Sequence, residues 1–447
     1  MHVHFIGIGG IGVSALARYF LAQNWTVSGS DLSSSDLTSE LSAEGVQIYI
    51  GHDVSHVPHD TSLVIHTSAI PPENPELTHA ISQNIKVQTY PQALGSLTAQ
   101  FWTIAISGSH GKSTSTALLA LIMEKAGLDP TVIVGTKLKE FGGSNFRNGK
   151  SKYLLIEADE YKGAFWNYTA DLAMVTNVDR EHLDFYKDID DVQKSFKRFL
   201  QNMRSGGCAV LNHMDPHLPS IASNIDMQKV WYGPNEDPIL TKAVREALYL
   251  PGDHNLSNAL GVYSVAKQLN IPDDIIFSVF REFKSSWRRM EYKGLLRDTE
   301  HLVFDDYGHH PTEISATLKA AREKHPDHMV VCVFQPHHGK RLQSLFDDFV
   351  IAFDNADVLI LLDTYVVQGR DVATDTILSL AEKLHDSVAK RREGPKVVEY
   401  MRNSETLHDD LRRTLIRSIG MVSESKNAVI LMMGAGDVVN ITPHLLQ

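Results

Sequence analysis

Three times along the chain a short apolar run gives way to a glycine-rich or acidic turn and then to a helical pattern. The first is Val3–Ile8, followed by glycines and the helical stretch Val13–Ala22. The second is Trp102–Ile106, followed by Ser107–Ser113 and a helix to about Lys125. The third is His301–Phe304, followed by Asp305–Pro311 and a helix to about Lys324. Further β-like runs lie between helical stretches at Leu154–Ile156, Leu172–Val175, Met329–Phe334, Val358–Leu362 and Ala428–Met433. Short strands alternating with helices predict parallel sheets with crossover helices, an α/β fold.

The 447 residues suit roughly three domains at about 150 residues each. One boundary is expected near Leu94–Gln100, after a Pro-containing turn, and a second near Gly294–Glu300. Residues 1–98, 99–295 and 296–447 are the resulting domains. The polar cluster Gly233–Pro238 is the most loop-like stretch of the middle one. Hydrophobic residues make up 43% and charged residues 21%, enough apolar content for a buried core and too much for a disordered chain.

The net charge of −12 gives no general attraction to nucleic acid, so an anionic ligand needs a local site. Two cysteines, Cys208 and Cys332, exclude a disulfide framework or a thiolate zinc cluster, and both read as buried small hydrophobes. The first residues lack the basic leader and apolar stretch of a secretory signal. The longest apolar runs are of strand length, far short of a membrane span. The cytoplasm is the expected compartment.

The strongest chemical motif is Gly108-Ser109-His110-Gly111-Lys112-Ser113-Thr114, set between an apolar strand and the helical run Ala117–Lys125. There, glycines let backbone N–H groups face a triphosphate, and the helix N-terminus adds a favourable dipole. Lys112 would neutralise the β- and γ-phosphates and Ser113 would ligate magnesium. The loop is shorter than G-x-x-x-x-G-K-[ST], since position 106 is Ile.

A second loop, Gly7-Ile8-Gly9-Gly10-Ile11-Gly12, has the G-x-G-x-x-G pattern, with Asp31 placed where a ribose-binding acid lies in a dinucleotide fold. Alone it fits an NAD enzyme, a UDP-sugar site or a closely packed turn. Glu157-Ala158-Asp159-Glu160 ends a strand, a position from which carboxylates hold magnesium. Thr176–Asp184 leaves another strand and offers His182 as metal ligand or proton carrier. Downstream lie Gly252–Asn255, Arg288-Arg289, Asp305–Glu313 and Phe334–Arg341. Their histidines raise a zinc reading, which the absence of thiolates and of HExxH spacing weakens. The paired arginines suit either a salt-bridged face or a phosphate grip.

Taken in order, these motifs resemble the Mur ligases, and their alanine-adding branch in particular. The likeness covers essentially the whole chain, from Gly7–Gly12 through GSHGKST, EADE, TNVDREHLD, GDHN, WRRMEYKG, DDYGHHPTE and FQPH to Met433–Asp437. It implies a UDP-binding Rossmann-like domain, a central P-loop ATPase domain and a C-terminal Rossmann-like domain that receives the amino acid. The implied reaction joins L-alanine to UDP-N-acetylmuramate through an acyl phosphate, with ATP and Mg2+ as cofactors and no nucleic-acid or membrane partner.

By the same resemblance, Gly108, Ser109, His110, Gly111, Lys112, Ser113 and Thr114 hold ATP, with His254, Asn255, Arg289 and Asp305 near the nucleotide. Ser113, Glu157 and His182 match the magnesium ligands. Gly9, Gly10, Ile11, Gly12, Asp31, Ser68 and Ala69 match the UDP-sugar site. Tyr307, His309 and Arg341 match the amino-acid site, and His182 or His309 is a candidate general base.

The chain departs from the family pattern at His338, where an arginine is usual, and at Tyr365–Arg370, where Y-x-A-G-E loses its glutamate. The stretch Tyr232–Leu250 is short, as if a hairpin were missing. Tyr161, where many members carry serine, is similar to the murein peptide ligases, which attach a whole peptide and form the rival reading. More distant alternatives are a nicotinamide oxidoreductase and a silenced nucleotide-binding protein.

Overall fold

The apolar run near the N-terminus becomes the strand His2–Ile6, buried along its whole length at the centre of a five-stranded parallel sheet. The computed structural model describes residues 1–365, 379–423 and 425–446. Across the first sheet the strands run Gln47–Ile50, Thr26–Asp31, His2–Ile6, Thr61–His66, Lys86–Thr89. The strand order reverses between His2–Ile6 and Thr61–His66. In doubly wound sheets the crevice at the carboxyl ends of two such strands is where ligands bind. The glycine loop and residues Thr67–Ala69 leave the sheet there.

The second sheet has seven strands, in the order Gln228–Tyr232, Cys208–Asn212, Leu172–Val175, Trp102–Ser107, Tyr153–Glu157, Thr131–Leu138, Ser144–Arg147. All its pairs are parallel except the last, which is antiparallel. Trp102–Ser107 is central, so the loop that follows it is flanked by the ends of Leu172–Val175 and Tyr153–Glu157. The third sheet runs Glu291–Leu295, Leu302–Asp306, Ala428–Met433, Met329–Phe334, Val358–Leu362, Val397–Met401, with Glu291–Leu295 antiparallel to its neighbour. Its central strands are apolar without alternation because both faces are covered. Phe304, Cys332 and Leu359 face one core; Val303, Val331 and Ile360 face the other. Cys208 and Cys332 are buried and unpaired, as expected.

The fold is thus α/β with three mostly parallel sheets. Contacts divide it into two compact units: Met1–Glu181, Asp188–Ala247 and Ser257–Ser286 form one, and His182–Lys187, Leu248–Leu256 and Trp287–Gln447 the other. The first unit contains two sheets, joined where helix Ile11–Ala22 packs on strands Thr131–Leu138 and Ser144–Arg147. Arg18 of that helix bonds Asn145 Oδ1 at 2.5 Å and Glu44 Oε1 at 2.7 Å, while Lys137 reaches Glu40 at 2.6 Å.

Several local expectations change. The Pro-containing turn before Leu94–Gln100 is the start of helix Tyr90–Thr98, with Pro91 in its first turn and Thr89 in a capping box. Proline is tolerated there because those N–H groups have no partner within the helix. Gly294 lies inside strand Glu291–Leu295 at a register shift, with φ +145°. That glycine therefore marks a bulge in the strand. Strand Leu302–Asp306 runs two residues past Phe304, because both terminal aspartates find partners within the fold. Within the short stretch Tyr232–Leu250, residues Pro238–Ala247 are helical.

Candidate active site

Strand Trp102–Ser107 ends in a loop whose shape depends on two glycines. Gly108 has φ +137° and Gly111 φ +85°, and Gly111 caps helix Lys112–Lys125 in the left-handed region. A Cβ on Gly108 would lie 1.9 Å from Thr176 Oγ1, and one on Gly111 would lie 2.4 Å from Asn258 Oδ1. The neighbouring strand end holds the loop in place. Ser109 N–H donates to the Asn177 carbonyl at 3.0 Å and His110 N–H to Asn177 Oδ1 at 2.9 Å. The Thr176 hydroxyl donates to the His110 carbonyl at 2.5 Å, and His110 Nε2 lies 3.0 Å from Asp179 Oδ2. The first turn of the helix, with its free N–H groups, thus opens onto a fixed loop, the geometry that binds anions.

Lys112 folds back over this loop. Its ammonium donates to the Gly108 carbonyl at 2.7 Å, the Ser109 carbonyl at 3.2 Å and Glu160 Oε2 at 2.8 Å, with Asp159 Oδ1 4.0 Å away. Burial alone would depress its pKa. Glu160, Asp159 and Glu157 outweigh that and hold Lys112 above its ordinary range, fully charged. The Ser113 hydroxyl donates to Glu157 Oε1 at 3.0 Å, and Glu157 Oε2 accepts from Gly135 N–H at 2.8 Å. Burial pushes Glu157 upward while Lys112 pulls it back. The motifs GSHGKST, EADE and TNVD, separate in sequence, therefore meet at one strand end. Within these motifs Glu160, Asn177 and Asp179 also touch the loop, which the sheet order shows and the sequence alone does not.

At the first sheet, Gly9 N–H donates to Asp31 Oδ2 at 2.8 Å, and Gly7 and Ile8 donate to the Ser30 carbonyl at 2.8 and 3.0 Å. Gly10 caps helix Ile11–Ala22, and Gly12 packs against the Tyr90 hydroxyl, which a Cβ would approach to 2.8 Å. Ser68 and Ala69 are exposed beside this loop, in the turn after Thr61–His66. The residues expected at the UDP-sugar site thus lie at the ends of adjoining strands of one sheet.

His182, His254, Asn255, Arg289, Asp305, Tyr307, His309 and Arg341 belong to the second unit. His182 opens the segment His182–Lys187 with φ +56°, its carbonyl accepting from Phe185 and Tyr186 N–H at 2.8 and 2.9 Å. Burial, and then the Arg289 guanidinium, push His254 down to about 4, so it is neutral at pH 7. Asn255 Nδ2 donates to the Pro251 carbonyl at 2.7 Å. Arg341 is on the short helix Gly339–Ser344, behind His338 with φ +69°.

Tyr307 lies between Arg288 and Arg289, whose guanidinium carbons are 5.1 and 5.3 Å from its ring centre. Arg288 is buried and donates to the Gly434 and Gly436 carbonyls, tying the loop after Ala428–Met433 to Tyr307. The tandem arginines are therefore neither a solvated face nor a matched pair. Arg288 is a structural tie, and Arg289 reaches Glu313 at 3.4 Å. His309 lies edge-on to Tyr307 at 5.2 Å and to His337 at 6.0 Å, and His337 stacks on Tyr365 at 5.5 Å. Residues 366–370, where the glutamate is missing, lie outside the described residues.

Asp305, expected near the nucleotide, precedes Asp306 at the end of strand Leu302–Asp306. Strand alternation sends it to the face opposite Asp306, where Oδ1 accepts from the Thr442 hydroxyl at 2.6 Å. Its Oδ2 is buried without a hydrogen bond, Lys293 Nζ lying 3.9 Å away. Burial pushes its carboxyl up to about 6. A raised carboxyl pKa means that the folded state favours the proton, so this contribution is complete below about pH 4 and lost as pH rises through 6. Asp305→Asn is expected to stabilise the protein at pH 7.5, by up to about 3 kcal/mol for a shift of about two units, and much less at pH 4.5. Denaturant melts at both pH values check this. A raised KM for nucleotide without any gain in stability would place Asp305 at the nucleotide site.

Family models match the chain in the same order: Mur ligase family catalytic domain at residues 2–102, Mur ligase middle domain at 106–266, and Mur ligase glutamate ligase domain at 288–436. A UDP-N-acetylmuramate–L-alanine ligase from Clostridium botulinum is 37% identical, over 98% of this chain and 96% of its own length.

The chain belongs to the Mur ligase family.

A ligase of the same name from Desulforapulum autotrophicum is also 37% identical, over 100% of this chain and 98% of its own. Among solved structures, a UDP-N-acetylmuramate-alanine ligase from Thermotoga maritima superposes with TM-score 0.78 at 23% identity, covering 100% of this chain and 98% of that one. A murein peptide ligase from Psychrobacter arcticus gives TM-score 0.71 at 22% identity, with the same coverage. These two likenesses establish the fold. The Mur ligase assignment places the N-terminal glycine loop in a ligase and not in a nicotinamide oxidoreductase. Among the described residues no helix is long and apolar enough to cross a membrane.

Proposed function

We propose that this Mur ligase joins L-alanine to UDP-N-acetylmuramate, using ATP to activate the muramate carboxylate as an acyl phosphate. The observation that carries this reading is full-length similarity, at 37% identity, to proteins bearing that name. The Lys112 loop supports it by supplying the phosphate chemistry the reaction needs.

In this reading the muramate carboxylate oxygen attacks the γ-phosphorus of ATP and the bond to ADP breaks. Lys112 and the N–H groups of the Gly108–Thr114 loop offset the charge that builds on the transferring phosphoryl. The neutral amine of L-alanine then attacks the acyl carbon, phosphate leaves, and the amine gives up a proton; His309 and His182 are the candidates to accept it. Ser113 and Glu157 are adjacent oxygen donors, a set that suits a hard divalent cation, and they would hold Mg2+. When bound, that ion would neutralise phosphate charge. The glycine loop, Asp31, Ser68 and Ala69 hold the UDP-sugar; His254, Asn255, Arg289 and Asp305 are the further candidates for the nucleotide; Tyr307, His309 and Arg341 receive the amino acid. The domains are those of 1–98, 99–295 and 296–447. The unpaired cysteines suit a cytoplasmic site of action.

A substrate panel tests this. Phosphate release is expected to require ATP, Mg2+, UDP-N-acetylmuramate and L-alanine together. Faster turnover with a tripeptide than with any single amino acid would replace the proposal with peptide ligation.

A further inference from the structure

A buried polar cluster beneath the glycine loop takes no part in the chemistry above. Its centre is Glu76, fully buried in the first turn of helix Pro75–Ser82, where Asn74 caps the helix by accepting from Glu76 and Leu77 N–H. Glu76 Oε2 lies 2.9 Å from His4 Nε2 and accepts from the Ser30 hydroxyl at 2.7 Å. Oε1 lies 3.1 Å from His52 Nδ1 and accepts from Asp53 N–H at 3.3 Å, with His56 Nδ1 3.4 Å away. These partners come from strand His2–Ile6, the end of strand Thr26–Asp31, and the loop and turn after Gln47–Ile50.

A carboxylate removed from water costs several kcal/mol unless its oxygens are satisfied. Here every partner is a donor or an imidazole, and the helix N-terminus favours the negative charge. Burial pushes Glu76 upward, but the hydrogen bonds from His4, Ser30 and His52 outweigh it and hold the group below its ordinary range. Burial likewise keeps His4 low and neutral.

Ser30 connects this cluster to the ligand crevice. Its hydroxyl donates to Glu76, while its carbonyl accepts from Gly7 and Ile8 N–H. The next residue, Asp31, accepts Gly9 N–H at its carboxylate and Gly51 N–H at its carbonyl. One buried ion therefore fixes the strand end from which the whole glycine loop hangs.

We propose that Glu76 is a positioning residue for the UDP-sugar, its buried carboxylate holding Ser30, Asp31 and the Gly7–Gly12 loop in the ligand-ready arrangement. The proposal rests on reading that loop as the UDP-sugar site. Glu76→Gln keeps the shape but turns an amide N–H2 toward groups that themselves donate. It is expected to raise the KM for UDP-N-acetylmuramate at least tenfold, leaving the KM values for ATP and L-alanine within about twofold. Glu76→Asp, which restores the charge, should recover part of that loss, and Ser30→Ala should raise the same KM about threefold.

A fall in kcat with no selective change in KM, alongside a lower melting temperature, would reduce Glu76 to a structural residue and overturn the proposal. If Glu76→Gln does not fold, Ser30→Ala decides by the same criterion. UDP alone, followed by calorimetry, separates this idea from the proposed reaction. Wild-type protein that binds UDP but does not turn over the muramate would refute the reaction only, and Glu76→Gln should still weaken UDP about tenfold. Wild-type protein that binds neither UDP nor the muramate would overturn the positioning role.

Discussion

Replacing Lys112 with alanine is expected to lower ATP-dependent phosphate release by about a thousandfold or more, the scale on which a preorganised charge at a transferring phosphoryl acts. The side chain is positioned for that role. It is mostly buried, its charge is secured by Glu160, Asp159 and Glu157, and its ammonium lies over the loop carbonyls at the helix N-terminus. Lys112→Arg should fail to rescue, because a planar guanidinium cannot replace a compact ammonium in a loop this tight.

The alanine variant carries a second effect. Glu160 is 1% exposed and burial pushes its carboxyl up to about 8 even beside Lys112, so without that cation it would take up a proton, with some loss of stability. The double variant Lys112→Ala/Glu160→Gln should regain most of that stability in denaturant melts and none of the activity. Full activity in Lys112→Ala would remove the loop from the ATP site.

The strands and helices of this protein were legible because parallel sheets announce themselves. Leu172–Val175, Met329–Phe334, Val358–Leu362 and Ala428–Met433 are continuous apolar runs, buried on both faces, and each folds over the residues the pattern marks. The glycine loops were legible for a related reason, since positive φ and close backbone approach select glycine. What remained hidden depends on tertiary contact. Nothing local to Thr176 says that its hydroxyl covers Gly108, and nothing in Arg288-Arg289 says that only the first is buried on the Gly434 and Gly436 carbonyls. Punctuation is ambiguous in the same way: Pro91 starts a helix and Gly294 bends a strand. Asp305 shows the same limit at the site. A two-aspartate strand end puts one carboxylate on each face, and nothing in the motif says that the Asp305 face meets Thr442. Glu76 left no motif at all, because its five partners are spread from His4 to His56.

Gly108→Ala should be nearly as damaging to turnover as the loss of Lys112, although it adds a single methyl. At φ +137° only glycine is comfortable, and holding another residue there costs about 1–3 kcal/mol. The new Cβ would also meet Thr176 Oγ1 at 1.9 Å, Thr176 N at 3.0 Å and Asn177 N at 3.1 Å. The hydroxyl could rotate only by giving up its bond to the His110 carbonyl, and the two backbone nitrogens belong to a strand end that holds Ser109. The loop must therefore shift, and a displacement on the order of 1 Å at the phosphate-binding N–H groups is enough to cost about a hundredfold in rate. Adding Thr176→Ala removes the nearest clash but not the backbone strain, so the double variant should recover only part of the activity. Gly111→Ala should be milder: its left-handed φ of +85° costs about 1–2 kcal/mol, and the atoms it would meet belong to the Asn258 side chain and not to backbone. Phosphate-release rates and nucleotide affinities for the three variants check this ordering, with UDP binding as the control that the first sheet is unaffected. Full recovery in Gly108→Ala/Thr176→Ala would assign the whole defect to the hydroxyl and none to the backbone.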